Sequence, residues 1–299
     1  MEKEYKPQKF KISDVLEDMV LDLKNGKEKG STTHIPELDE CWTWRKEEFN
    51  IWTGYANEGK SLFLRYLCIL KALKDDWRFI FCAPEDYPAK EFFDDMIHTL
   101  TGMSTDRDRP NHVTEDMYRK AANKIKDNFI FLYIEPPHNT VKGVLEEFRT
   151  ICNAEKIDGC IIDPILKFAR PKGFSDRDDI YASYIGSICV DFARQTRTSL
   201  NMVMHQVTPT ISDDRKYPEP SMYRVKGGGS WADGADNVLS IWRPSYAFDK
   251  TDTEVQFASQ KIKKQKLVGI PQKYKMRFDR RSNRYVDFST GNSLFKFEL

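Results

Sequence analysis

Gly54-Tyr55-Ala56-Asn57-Glu58-Gly59-Lys60-Ser61 matches G-x-x-x-x-G-K-[ST] at every position, and it sits between an apolar run (Phe49-Asn50-Ile51-Trp52) and a longer apolar stretch from Lys60 to Leu73. That context constrains the chain more than any other feature. A short strand must stop, the backbone must curl tightly at the two glycines, and a helix must begin at once. In such a turn successive N–H groups point inward and form an anion nest. The helix then aims its positive dipole end at the same point. Lys60 supplies a point charge for β- and γ-phosphates, and the Ser61 hydroxyl is suited to ligate Mg²⁺. The segment is therefore read as the cradle for the phosphates of ATP or another nucleoside triphosphate, with all eight residues from Gly54 to Ser61 in the binding loop.

A strand–loop–helix unit of this kind belongs in an α/β fold, and the rest of the chain agrees. Strands are expected at 48–53, 78–83, 129–134, 159–163, 200–204 and 237–242. Helices are expected at 60–73, 89–100, 114–126, 141–154 and 178–196, with late strands or hairpins at 254–263, 273–279 and 284–288. Short apolar strands alternating with helices predict a mostly parallel sheet covered on both faces, and the tail would extend its edge with antiparallel strands. Upstream, residues 13–24 place Val15, Leu16, Met19, Val20 and Leu23 at helical spacing before Asn25-Gly26. The expected organisation is a helix and linker over 1–30, as a possible subunit-docking arm, and an ATPase domain over 31–299.

Composition bears on location and partners. Apolar residues make up 40% and charged residues 31%, as in ordinary globular proteins. No run approaches the roughly 20 apolar residues of a membrane span. Met1 to Phe10 is charged and has no apolar core, so no secretory leader is expected. The six cysteines form no CxxC pair and mostly interrupt apolar runs, which predicts buried free thiols in a reducing cytoplasm. The net charge is only +1, but Lys261 to Arg284 is densely basic. That stretch reads either as a polyanion patch or as a sheet edge guarded by lysines.

Two acids follow apolar strands. Asp163 ends Gly159-Cys160-Ile161-Ile162, and it reads as a metal-shell carboxylate beside the phosphate loop or as a turn residue. Glu85 ends Phe79-Ile80-Phe81-Cys82-Ala83-Pro84. It reads as a base facing the γ-phosphate from a strand near the phosphate-loop strand, or as an acid at a helix start, where Asp86 would be the better cap. Two long loops, Thr101–Val113 and Pro209–Gly229, exceed a simple connection.

Several of these segments together resemble DnaB-type replicative helicases in their phage-like version. They are Thr33-His34-Ile35-Pro36-Glu37-Leu38-Asp39, Trp44 to Phe49, the phosphate loop, Asp163-Pro164-Ile165-Leu166, Met202 to Gln206, and Lys226 to Asn237 followed by Ile241-Trp242-Arg243. The resemblance spans about residues 30 to 287. It implies a RecA-like P-loop core, a homo-hexameric ring moving on single-stranded DNA, and primase and other replication proteins as possible partners. The location would be the cytoplasm, or the host cytoplasm for a phage-encoded chain. It also implies Glu85 as catalytic base, Asp163 with Ser61 at the metal, and His205 as γ-phosphate sensor with Gln206 as the alternative. The channel loops would supply Lys167, Arg170 and Lys172 from one segment. The other would supply Arg215, Lys216, Arg224, Lys226 and the backbone of Gly227, Gly228 and Gly229, with Tyr217 and Tyr223 available to stack on bases. Two features depart from the family. Lys261 to Gly269 has no arginine finger, leaving Lys264 or Lys266 in that place without a bidentate fork. No primase or collar domain is expected within residues 1–30, only the helix at 13–24. A RecA- or KaiC-like DNA-dependent ATPase acting in recombination or helicase loading, without unwinding, is the competing class.

Overall fold

The computed structural model describes residues 9–171, 173, 177–209 and 217–298. Among these, nine strands form one sheet in the order β3-β2-β4-β5-β1-β6-β7-β8-β9. The parallel part comprises β1 (Phe49–Gly54), β2 (Phe79–Cys82), β3 (Phe129–Phe131), β4 (Gly159–Ile162), β5 (Ser199–His205) and β6 (Asn237–Trp242). The expected tail adds β7 (Glu254–Ile262), β8 (Lys273–Asp279) and β9 (Arg284–Asp287) antiparallel beside β6.

Covered on both faces, the central strands have no polar side, and successive residues enter opposite cores. Trp52, Phe79 and Phe81 join Trp42, Trp44 and the buried face of α3 (Lys60–Asp75), with α4 (Ala89–Thr101) and α5 (Glu115–Ile125). Phe49, Ile51, Ile80 and Cys82 face the other way, against α6 (Val141–Ala154), α7 (Asp178–Thr196) and α8 (Ser230–Gly234). One polar ladder crosses this apolar sheet. Asn50 donates to Asn201 Oδ1 at 3.2 Å and accepts from Asn237 at 2.7 Å, and Trp52 Nε1 donates to Asn201 at 2.9 Å. These buried amides stand opposite one another in β5, β1 and β6. A slip of register would leave them unpaired at a cost of about 1–3 kcal/mol each.

One expectation about strand neighbours is corrected: the strand ending near Glu85 does not lie near β1, because β4 and β5 intervene. The strand ending at Asp163 is separated from β1 by β5. Connection rules limit parallel crossovers but do not dictate which strand inserts where. The pattern also missed α2 (Pro36–Cys41), α8 and α9 (Gln265–Val268), which are too short for a helical period to register. The amphipathic helix is present as α1 (Ile12–Asn25), its start held by Lys11 N–H donating to the Asp14 carboxylate at 2.8 Å. None of its residues is buried, and Leu16, Met19 and Leu23 are exposed. The cysteines are free, with all but the half-buried Cys152 in the core. No helix of the described residues is long and apolar enough to cross a membrane.

Candidate active site

The parallel strands all end on one edge of the sheet, and the phosphate loop lies there between β1 and α3. Gly54 has φ 153° and runs so close to β6 that a Cβ would stand 2.2 Å from the Ile241 carbonyl oxygen. Gly59 caps α3 in the left-handed region at φ 85°. Any side chain at these positions would be strained. Lys60 is 4% exposed and donates to the Tyr55 carbonyl at 2.6 Å, folding its ammonium over the loop. Burial lowers its pKa to about 8 against the attraction of Asp163, Glu58 and Glu85.

Despite the strand between them, Asp163 meets the loop: Ser61 Oγ donates to Asp163 Oδ1 at 2.9 Å. Burial, and then the charge of Asp86, raises the Asp163 carboxyl to about 6. A hydroxyl and a carboxylate, side by side at the first turn of α3, suit a hard cation that takes few protein oxygens and shares the rest with phosphate and water. Among the described residues no group of three or more His, Cys, Asp or Glu side chains is placed to hold a metal by itself.

A cleft of about 790 Å³ opens over the loop and is lined by Asn57, Lys60, Ser61, Glu85, His205 and Tyr246, among others. Glu85 lies in the 3-10 turn Pro84–Asp86 and is half-exposed, with its Oε1 3.0 Å from Lys167 Nζ. Neither acid of that turn is a helix cap: the N-cap of α4 is Pro88, with no side-chain cap, and Asp86 instead pairs with Arg65 at 2.5 Å. Arg65 also holds Asp95 at 2.8 Å. No sequence motif singled out Arg65, Asp95 or Tyr246, since helix periodicity makes Arg65 an ordinary residue of α3.

His205 and Gln206 divide. His205 reaches the cleft, and burial together with the Lys60 charge lowers its pKa to about 4, so the ring is neutral near pH 7. Gln206 is buried and turned away. Its Nε2 donates to Thr53 Oγ1 at 2.9 Å and to the Ser221 carbonyl at 3.0 Å, while Ser221 N–H donates to its Oε1 at 3.2 Å. It ties the end of β5 to β1 and to the following long loop.

The loop residues are distributed as follows. Lys167, in the 3-10 turn Ile165–Lys167, reaches Glu85. Arg170 pairs with Asp178 at 2.6 Å and lies over the Tyr181 ring at 4.5 Å. Arg224 and Lys226 are exposed. Gly228 N–H donates to the Val225 carbonyl at 2.9 Å, so that amide closes a turn and does not point outward; Gly227 has φ 98° and crowds Trp231, and Gly229 precedes α8. Tyr217 packs its ring 4.9 Å from Tyr55 of the phosphate loop, whose hydroxyl donates to the Pro218 carbonyl at 3.1 Å, whereas Tyr223 is exposed. Lys172, Arg215 and Lys216 lie outside the described residues. Lys264 and Lys266 follow β7, whose last residue Ile262 pairs with Asn237 at the start of β6. They are thus at the opposite end of the sheet from Gly54, and Lys264 lies 3.6 Å from Glu48 just before β1. Neither can reach the phosphate loop of its own chain.

No protein-family model matches the sequence, and no curated protein matches it. Solved structures do. The ATPase domain of a phage DnaB-like helicase superposes with a TM-score of 0.76 over 94% of this chain and 100% of that one, at 15% identity. A DnaB-like replicative helicase, described with its interactions with primase, superposes with a TM-score of 0.76 over 94% of this chain and 68% of that one, at 14% identity. The fold is that of a DnaB-like helicase ATPase domain. At such low identity the shared element is the backbone architecture, and the chemistry must be argued from this chain's own residues.

Proposed function

We propose that the protein is an ATP-driven translocase and helicase of the DnaB type that acts on single-stranded DNA in replication as a ring of identical subunits. The observation that carries this reading is the meeting of Lys60, Ser61–Asp163, Glu85 and His205 around one cleft at the strand-end edge of a DnaB-like fold. Loop amides and Lys60 hold the β- and γ-phosphates. Ser61 and Asp163 are the residues that would hold Mg²⁺, which would neutralise charge on the phosphate oxygens. Glu85 orients and deprotonates the attacking water, and neutral His205 hydrogen-bonds the γ-phosphate end. The segments after β4 and β5 begin beside this cleft and carry Lys167, Arg170, Arg224 and Lys226, which supports their role as DNA-contacting loops coupled to hydrolysis.

Assembly as a ring is supported by two apolar surfaces left open among the described residues. One is the unburied α1. The other is a groove of about 260 Å³ between α4 and α5, lined by Phe93, Ile97, Tyr118, Ala122, Ile125 and Phe129. The α1 face of one subunit is proposed to occupy that groove on the next. Lys264 or Lys266, remote from their own phosphate loop, are the candidates to reach a neighbour's nucleotide. Primase is the proposed replication partner by likeness to the helicase above.

The test is strand displacement on a forked duplex, alongside ATP turnover with and without single-stranded DNA. Wild type should unwind. Lys60→Ala should abolish turnover, and Glu85→Gln should keep ATP binding while slowing turnover by roughly a hundredfold. DNA-stimulated hydrolysis without unwinding would move the protein to the competing class of DNA-dependent ATPases. Hydrolysis indifferent to DNA would refute both.

A further inference from the structure

We infer that Lys167 is a positioning residue for Glu85, holding that carboxylate in an ion pair until a polyanion draws the lysine away. This rests on the function proposed above and adds how DNA occupancy reaches the hydrolytic site. Lys167 Nζ is 3.0 Å from Glu85 Oε1, with side chains 52% and 45% exposed. A carboxylate held by an ammonium has one lone pair occupied and is a poorer base toward water. The lysine backbone is fixed: its carbonyl accepts from buried Asn139 Nδ2 at 2.9 Å, its N–H donates to the Pro164 carbonyl at 3.1 Å, and the next residue, Phe168, is buried in the core. Its side chain is therefore the part that can move, from Glu85 toward solvent on the same edge of the sheet.

The pair is also weak enough to exchange. Exposed ion pairs shift an equilibrium by no more than about fivefold, and a chain of DNA phosphates competes for the same ammonium. The adjacent acid is built differently. Asp86 is held by Arg65, whose side chain is only 8% exposed and also grips Asp95. The second long loop arrives at the same place, with Lys226 N–H donating to the His205 carbonyl at 2.8 Å. A phosphate chain passing these loops meets Lys167 and Lys226 within reach of the cleft.

Coupling of this kind is reciprocal. If DNA and Glu85 compete for Lys167, removing the carboxylate must strengthen DNA binding even without nucleotide. The experiment measures the nucleotide-free affinity of a fluorescent oligothymidylate for wild type, Glu85→Gln, Lys167→Ala and the double variant, with Lys167→Arg as the conservative control. Glu85→Gln should tighten binding by up to about fivefold beyond the change it causes in the Lys167→Ala background, where only the general loss of negative charge remains. Lys167→Ala should also raise DNA-independent ATP turnover and reduce its stimulation by DNA, and Lys167→Arg should restore both. An equal effect of Glu85→Gln in the two backgrounds overturns the inference, as does Lys167→Ala turnover at or below wild type. A wild type that hydrolyses ATP but binds no single-stranded DNA defeats the proposed function itself, and the inference with it. Normal binding and hydrolysis without coupling defeats this inference alone.

Discussion

Replacing Gln206 by alanine separates a structural clamp from a phosphate sensor. The amide is 4% exposed and makes three hydrogen bonds, to Thr53 Oγ1 and to the carbonyl and N–H of Ser221. Each is worth about 0.5–1.5 kcal/mol net. Truncation also strands the fully buried Thr53 hydroxyl, although a water entering the vacated space offsets part of that. The expected destabilisation is about 2–4 kcal/mol. For a chain of this size each kcal/mol lowers the melting temperature by about 2 °C, so Gln206→Ala should melt about 4–8 °C below wild type. Calorimetry measures this, and turnover at saturating ATP is measured below the transition. The clamp also positions Ser221, so affinity for single-stranded DNA should fall while turnover per bound nucleotide stays near wild type. His205→Ala should show the converse, near-normal melting with slowed hydrolysis. If Gln206→Ala melts within about 1 °C of wild type and loses tenfold or more in turnover at saturating ATP, Gln206 works at the phosphates and the clamp reasoning is wrong.

Other consequences follow from the same geometry. The His205 pKa is about 4 in the folded protein and about 6.5 unfolded. Its contribution to stability is therefore fully present above about pH 6.5 and is lost as pH falls toward 4, amounting to about 1–2 kcal/mol between pH 7 and 5. Buried Glu58 and Asp163, raised to about 7 and 6, act in the opposite direction, so the diagnostic is the difference between wild type and His205→Asn in urea melts at the two pH values; no difference would refute the assignment. Changing Arg215, Lys216, Arg224 and Lys226 together to alanine should lower the log–log salt slope of single-stranded DNA binding by about 3. Nucleotide binding should survive, and an unchanged slope removes the loop from the DNA site. Leu16→Asp with Met19→Asp, on the exposed α1 face, should shift the protein toward folded monomer in light scattering; unchanged assembly refutes the docking arm.

Features carried by neighbouring residues were legible without a structure. The phosphate loop needs its glycines, lysine and serine within one turn, so the motif, its strand and its helix stand in the sequence. Long helices such as α7 showed their apolar period, and buried strands such as β4 showed as short apolar runs. The likeness of Glu85, Asp163 and His205 to a known family pattern brought them into one site before any distance was known.

Tertiary structure decided what depends on which face and which neighbour a residue receives. Both His205 and Gln206 are polar, and they are adjacent at a strand end. A strand turns successive side chains to opposite faces, so only the placement of the sheet determined that His205 enters the cleft while Gln206 fastens Ser221. The insertion of β4 and β5 between β1 and β2, the Arg65–Asp86–Asp95 network, the Tyr55–Tyr217 contact and the Lys167–Glu85 pair all join residues distant in the chain. The sequence by itself determined a nucleotide cradle in an α/β sheet, because that rests on local backbone conformation and hydrophobic period. How the cradle is linked to the loops around it rests on long-range contacts that no local pattern encodes.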